Sequence, residues 1–127
     1  MTDALSAWYR GRRVLVTGHT GFKGSWLVAW LRQAGAVVTG YALPPDHPAL
    51  FEDARLGDGI TSHLGDIRDA AALASVTRAA APEVVFHLAA QSLVRKSYRE
   101  PVETFATNVM GTAHLLEAVR STPEVRA

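Results

Sequence analysis

Thr17-Gly18-His19-Thr20-Gly21-Phe22-Lys23-Gly24 follows the run Val14-Leu15-Val16 directly and leads into a stretch of helical apolar spacing. A strand that delivers the chain to a tight turn and then a helix is the setting in which glycines serve a phosphate. Gly18 permits the turn, Gly21 lets a pyrophosphate approach the backbone, and Gly24 lets the helix pack closely on the strand. The free N–H groups and positive dipole end of that helix then face the anion. The spacing is Gly-x-x-Gly-x-x-Gly rather than Gly-x-Gly-x-x-Gly. An isolated triplet of this kind could be a bare glycine turn, but its place between strand and helix favours a nucleotide site.

On either side of this stretch, strand and helix patterns alternate. A first strand is expected at Arg13 to Thr17. A helix follows from Phe22 to Ala34, with Phe22, Trp26, Leu27, Trp30, Leu31 and Ala34 on its apolar face and Gly35 ending it. Ala36 to Ala42 reads as a second strand. Pro44-Pro45-Asp46-His47-Pro48 then imposes an extended loop. A weaker strand is expected at Thr61 to Gly65, and a helix from Asp69, as N-cap, to Ala80. Glu83 to Ala89 reads as a buried strand. A long helix runs from Pro101 to Arg120, with a stripe of Val102, Phe105, Ala106, Val109, Ala113, Leu116 and Val119. Glu124 to Ala127 resembles the start of a fifth strand. This alternation predicts an α/β, Rossmann-type, doubly wound parallel sheet of order 3-2-1-4, truncated at the start of strand five. A ligand is expected outside the carboxyl ends of the strands, at the switch point beside strand one.

The 127 residues, 48% hydrophobic and 20% charged, suit one globular domain spanning 1–127. A net charge of +1 gives no reason to expect a nucleic-acid or membrane partner. The absence of cysteine excludes disulfides and thiolate chemistry. The segment Met1 to Arg10 has no apolar core of a secretory signal, and no apolar run is long enough to span a bilayer, so the cytoplasm is the default location. His19, His47, His63, His87 and His114 show no metal-ligand spacing, and no metal is expected.

Four segments carry a resemblance: Thr17 to Gly24, Gly65-Asp66-Ile67-Arg68-Asp69, His87-Leu88-Ala89-Ala90-Gln91 and Thr107-Asn108-Val109-Met110-Gly111-Thr112. Together they resemble the extended short-chain dehydrogenase/reductases that act on nucleotide sugars, from about Trp8 to the end of the chain. Within that superfamily, Gly18 to Trp26 and Ser97 to Asn108 resemble the CDP-glucose 4,6-dehydratases. The resemblance implies NAD as cofactor, CDP-glucose as substrate and a homodimeric parent protein. It also implies a lyase with a hidden redox cycle: hydride leaves sugar C4 for NAD, water is lost across C5 and C6, and hydride returns to C6. Such a reaction serves lipopolysaccharide or deoxysugar biosynthesis.

The resemblance assigns the cofactor to Gly18, Gly21, Phe22, Lys23, Gly24, Asp66, Ile67, Leu88, Ala89, Ala90 and Thr107, with Asn108 in a supporting role at the active site. Each residue has a plainer alternative. Asp66 could simply cap its turn, Leu88 to Ala90 could be ordinary buried strand, Lys23 could be solvated, and Asn108 could be a buried amide with local partners. Trp26 and Trp30, one turn apart, are expected in the core, and His114 at the surface or a subunit contact.

The family's Tyr-x-x-x-Lys pair is not in these residues: Tyr9, Tyr41 and Tyr98 are followed four positions on by Arg13, Pro45 and Val102. The expectation is therefore an N-terminal fragment that holds most of the cofactor half, with no catalytic residue and no activity alone. The acid that usually binds ribose hydroxyls at the end of strand two is also missing. Tyr41 stands there, so the choice between NAD and NADP rests on resemblance. An epimerase or reductase of the same superfamily, and a non-catalytic dinucleotide-binding module, are the alternatives.

Overall fold

The computed structural model describes residues 3–127; positions 1 and 2 of the expected domain lie outside the described residues. The chain runs through helix α1 (Asp3–Tyr9), strand β1 (Arg13–Thr17), α2 (Phe22–Gln33), β2 (Val37–Ala42), the short α3 (Leu50–Asp53) and β3 (Thr61–Leu64). It continues through α4 (Ala70–Ala80), β4 (Val84–His87), α5 (Val94–Arg99), α6 (Pro101–Phe105), a π-helical turn Ala106–Met110 and α7 (Gly111–Arg120). The strands form one sheet in the order β3-β2-β1-β4, as expected, and every pairing is parallel.

Two apolar layers sandwich the sheet. On one face Val14, Val16 and Val38 pack with Tyr9, Val28, Leu31 and Leu56. On the other, Leu15 and Tyr41 pack with Ile67, Leu73 and Leu115. The period-two alternation of β1 feeds both layers, which is why this five-residue strand reads as a continuous apolar run.

Three expected faces are corrected. Phe22 and Trp26 are 72% and 60% exposed, while the buried face of α2 is Gly24, Ser25, Val28 and Leu31. Gly24 and Ser25 pack against Gly18 and His19 of the glycine turn, and the larger side chains Phe22 and Trp26 face outward. Trp30 is partly buried and meets Tyr9 edge-on at 5.4 Å. The expected helix Pro101 to Arg120 contains the π-helical turn, which makes its apolar stripe discontinuous. α7 packs through Gly111, Leu115 and Ala118, whereas Val102, Phe105, Val109 and Leu116 are exposed. The strand expected at Glu83 to Ala89 is shorter, and within β4 only Val84 is buried.

Two caps follow the sequence closely. Gly35 adopts φ +80 just past α2, and the Asp69 carboxylate accepts from the Ala72 N–H at 3.0 Å at the start of α4. At the other end of the chain, Ala127 N–H donates to the Glu83 carbonyl at 3.3 Å and its own carbonyl accepts from Val85 N–H at 2.9 Å. That offset pair is one rung of a parallel ladder on the free side of β4, where a fifth strand was expected.

Candidate functional site

The glycine turn lies at the carboxyl end of β1, between β2 and β4. Gly18 has φ +75, and a Cβ there would sit 2.7 Å from the Ala89 nitrogen and 2.8 Å from the Leu88 carbonyl carbon. The turn and the segment after β4 therefore touch backbone to backbone, which only glycine allows. A Cβ on Gly24 would overlap the Gly18 carbonyl, so that position closes the turn onto the helix. Gly21 differs: a Cβ there would meet only the Gly18 oxygen at 3.4 Å, and the residue is solvent-exposed. It is the α2 N-cap and brings no side-chain cap, and the first turn of α2 holds no acidic residue. The N–H groups of Phe22, Lys23 and Gly24 stand at the positive end of a helix that has no side-chain cap, an arrangement that suits an anion.

Backbone and side-chain hydrogen bonds tie the turn down. Gly18 N–H donates to the Tyr41 carbonyl at 2.9 Å, and Thr20 Oγ1 donates to the Leu43 carbonyl at 2.8 Å. His19, within the turn, is a core residue. It is fully buried, with Nε2 2.7 Å from Ser62 Oγ, its ring edge-on to Phe51, and Gly40 beneath it where a Cβ would overlap the imidazole. Its Nδ1 has no hydrogen-bond partner, and burial pushes its pKa down to about 4.

Tyr41, at the end of β2 where the ribose-binding acid is missing, is a core residue. It is 2% exposed in the core, and its hydroxyl donates to the Asp66 carbonyl at 2.9 Å. Burial raises its pKa. Gly65 makes room for that ring, since a Cβ there would lie 2.6 Å from the Tyr41 oxygen. Asp66 thus sits at the end of β3, positioned by a buried tyrosine. Its carboxylate accepts from Arg68 N–H at 2.9 Å and Arg68 Nε at 3.0 Å, and the Arg68 hydrogen bonds hold its pKa below the ordinary carboxylate value. The turn-capping role is therefore present. Ile67 is 4% exposed in the second core layer, and its carbonyl is 3.0 Å from His114 Nδ1. His114 accordingly braces the β3 exit rather than standing free at the surface.

After β4, Leu88 packs against the first core layer and Ala89 against the second, while Ala90 is exposed. The Asn108 carboxamide clamps Gln91: Oδ1 accepts from Gln91 N–H at 2.7 Å and Nδ2 donates to the Gln91 carbonyl at 3.0 Å. Thr107 and Asn108 both lie within the π-helical turn. The expected residues thus lie in four segments, after β1, after β3, after β4 and in the π-helical turn. Sequence reasoning missed the anchors Thr17, Thr20, Ser62 and His87, whose types carry no signal until partners are known. Among the described residues no cluster of histidine and acidic groups could hold a metal, and no helix is long and apolar enough to cross a membrane.

Residues 15–127 match the GDP-mannose 4,6 dehydratase family. The chain belongs to this family. It is 57% identical over 120 residues to the CDP-glucose 4,6-dehydratase of Salmonella typhimurium, covering 94% of this chain and 33% of that protein. It is 35% identical over 105 residues to the UDP-glucose 4-epimerase of Halalkalibacterium halodurans, covering 82% of this chain and 30% of that one. Among solved structures, the Thermus thermophilus UDP-glucose 4-epimerase complex with NAD superimposes with a TM-score of 0.78 at 34% identity, over 87% of this chain and 34% of that one. The Stenotrophomonas maltophila UDP-glucose-4-epimerase with bound NAD and formylated UDP-arabinopyranose gives 0.78 at 30% identity, over 91% and 35%. The chain spans about a third of the length of the curated relatives it matches. Family membership and sheet order together give this chain a Rossmann-like fold of the nucleotide-sugar dehydratase/epimerase family.

Proposed function

We propose that this chain is the cofactor-binding part of an NAD-dependent CDP-glucose 4,6-dehydratase. The observation that carries the proposal is the 57% identity to the Salmonella typhimurium enzyme along nearly the whole chain. The geometry is in keeping with it: a glycine turn lies against the segment after β4, with an uncapped helix end before it.

In this reading the N–H groups of Phe22, Lys23 and Gly24 receive the pyrophosphate, and the exposed Gly21 allows its approach. Lys23, exposed at the first turn, screens phosphate charge. Asp66 and Ile67 border the adenine, with the Asp66 carboxylate exchanging part of its bond to Arg68 for the exocyclic amine. Leu88, Ala89 and Ala90 form the floor over which the dinucleotide crosses, and Thr107 touches it from the helix side. Asn108 holds that floor through Gln91. When bound, NAD supplies a hydride acceptor that later returns the hydride, so the net reaction converts CDP-glucose to CDP-4-keto-6-deoxyglucose with loss of water. The acid–base pair for that chemistry is not among these residues, so the chain binds and orients but does not turn over.

Calorimetry tests the binding arm. NAD and ADP should bind weakly and with similar affinity, because in this reading these residues contact only the ADP half of the dinucleotide. Much tighter binding of NAD than ADP would place the nicotinamide pocket in residues assigned no role above, and no binding of either would remove the cofactor reading for the isolated chain. Incubation with CDP-glucose and NAD tests catalysis: formation of the 4-keto product above background would refute the inactivity of this chain. In the protein from which these residues come, preference for CDP-glucose over UDP-glucose separates the dehydratase from an epimerase.

A further inference from the structure

A chain of hydrogen bonds crosses the carboxyl edge of the sheet from β1 to α7, and His87 is its centre. Thr17 Oγ1 is 2.6 Å from His87 Nδ1. The same oxygen lies 3.3 Å from the Ala89 nitrogen and 3.2 Å from the Leu88 nitrogen, whose N–H it shares with the Thr17 carbonyl. On the far side, His87 Nε2 is 3.0 Å from Thr112 Oγ1, and Thr112 donates its hydroxyl to the Asn108 carbonyl at 2.6 Å. Asn108 in turn clamps Gln91 by both its backbone groups.

The donor inventory decides the direction of this chain. A threonine hydroxyl has one proton and two lone pairs. Thr17 Oγ1 receives the Ala89 N–H and a share of the Leu88 N–H, so its proton goes to His87 Nδ1. Nδ1 is therefore an acceptor, and the ring proton resides on Nε2. That proton is directed at Thr112 Oγ1, whose own hydroxyl proton is committed to the Asn108 carbonyl. In this arrangement each of these protons has an acceptor. Burial lowers the His87 pKa and keeps the ring neutral, and no charged side chain among the described residues contributes to that shift.

We propose that His87, as the Nε2–H tautomer, is a positioning residue: it couples the end of β1 to the π-helical turn and so holds the segment 88–91 from both sides. The segment is pinned at Leu88 and Ala89 by Thr17 and at Gln91 by Asn108, and His87 with Thr112 joins the two pins. The π-helical turn belongs to the same device, because it places Asn108 at Gln91 and the Asn108 carbonyl at Thr112 on one helix; such turns recur at functional sites. The consequence for the dinucleotide rests on the function proposed above. The coupling itself does not.

The test uses the chain as it stands. Long-range proton–nitrogen NMR of the His87 ring should show a proton on Nε2 and a bare Nδ1; a proton on Nδ1 overturns the proposal with no variant needed. Thr112→Val cuts the far link. It should move the Ala89 amide resonance as well as that of Gln91, blur the His87 tautomer preference, and weaken ADP binding about tenfold, the effect of one good hydrogen bond. Thr112→Ser keeps the hydroxyl and should restore all three. A Thr112→Val chain that folds yet leaves the Ala89 amide and the His87 ring unchanged would show that Thr112 only packs locally, and the coupling would be refuted. Failure of the wild-type chain to bind ADP would count against the cofactor reading alone, because tautomer and amide shifts are read without ligand.

Discussion

Acid should destabilise this protein through His19 before it protonates the carboxylates. The imidazole is fully buried beside Phe51 and over Gly40, with Nδ1 unpartnered, and its pKa falls from 6.5 to about 4 in the fold. A base whose folded affinity for protons is depressed gives a simple sign. Above pH 6.5 both states carry a neutral ring and His19 contributes no pH dependence. Between 6.5 and about 4 the unfolded chain binds the proton and the folded chain does not, so stability falls as pH falls. Each tenfold difference in affinity is worth about 1.4 kcal/mol. The loss reaches roughly 2 kcal/mol near pH 5 and about 3 kcal/mol once the folded form is also protonated, a large share of the roughly 5–15 kcal/mol a domain has. Urea unfolding at a series of pH values should show this decline in the wild-type chain, and His19→Gln should flatten it between about pH 7 and pH 5. His87, also lowered by burial, adds a decline of the same sign to both proteins and cancels in the comparison. Asp66, Glu83 and Glu117 act at more acidic pH, since their folded pKa values lie below the carboxylate range. Parallel curves for the two proteins would refute the argument and show that the buried ring finds a proton acceptor or swings out at little cost.

Gly24→Ala should cost about 3 kcal/mol in the same urea assay and abolish ADP binding, because the new Cβ meets the Gly18 carbonyl, a backbone group that cannot move aside without opening the turn; wild-type stability would disprove the close packing. Asp69→Ala should cost about 1 kcal/mol by removing the cap on the Ala72 N–H, with no effect on ligand binding. The chain should self-associate in a light-scattering concentration series, since Val102, Phe105, Val109 and Leu116 are exposed between Pro101 and Arg120 and the free side of β4 is met, among the described residues, by the short stretch Arg126–Ala127. Phe105→Lys combined with Leu116→Lys should reduce that association without lowering the unfolding midpoint; a wild-type chain that stays monomeric throughout would overturn it.

The sheet and its order were legible in the sequence because they depend on local chemistry. Val14-Leu15-Val16 alternates faces whatever surrounds it, Gly35 and Asp69 act on backbone groups a few residues away, and a parallel strand order follows from the alternation of strands with helices. The glycine turn was legible for the same reason: Gly18, Gly21 and Gly24 serve a geometry contained within one short stretch of chain. What depends on the partner across space was not legible. Helical periodicity put Trp26 in the core, but the face that is buried carries Gly24, which packs against Gly18 of the turn. Spacing gave Pro101 to Arg120 one stripe, but the π-helical turn, stabilised by the contacts of Asn108 and Thr112, divides it. The sequence shows only that Tyr41 stands where a ribose-binding acid is usual, and the fold alone shows it buried against Gly65 with its hydroxyl on the Asp66 carbonyl. His19 and His87 are the same residue type with the same lack of motif. One is sealed beside Gly40 with a single ring-nitrogen partner and the other is the centre of a hydrogen-bonded chain, because a histidine's role is set by what its ring nitrogens meet, and here the partner atoms lie 25 to 70 residues away.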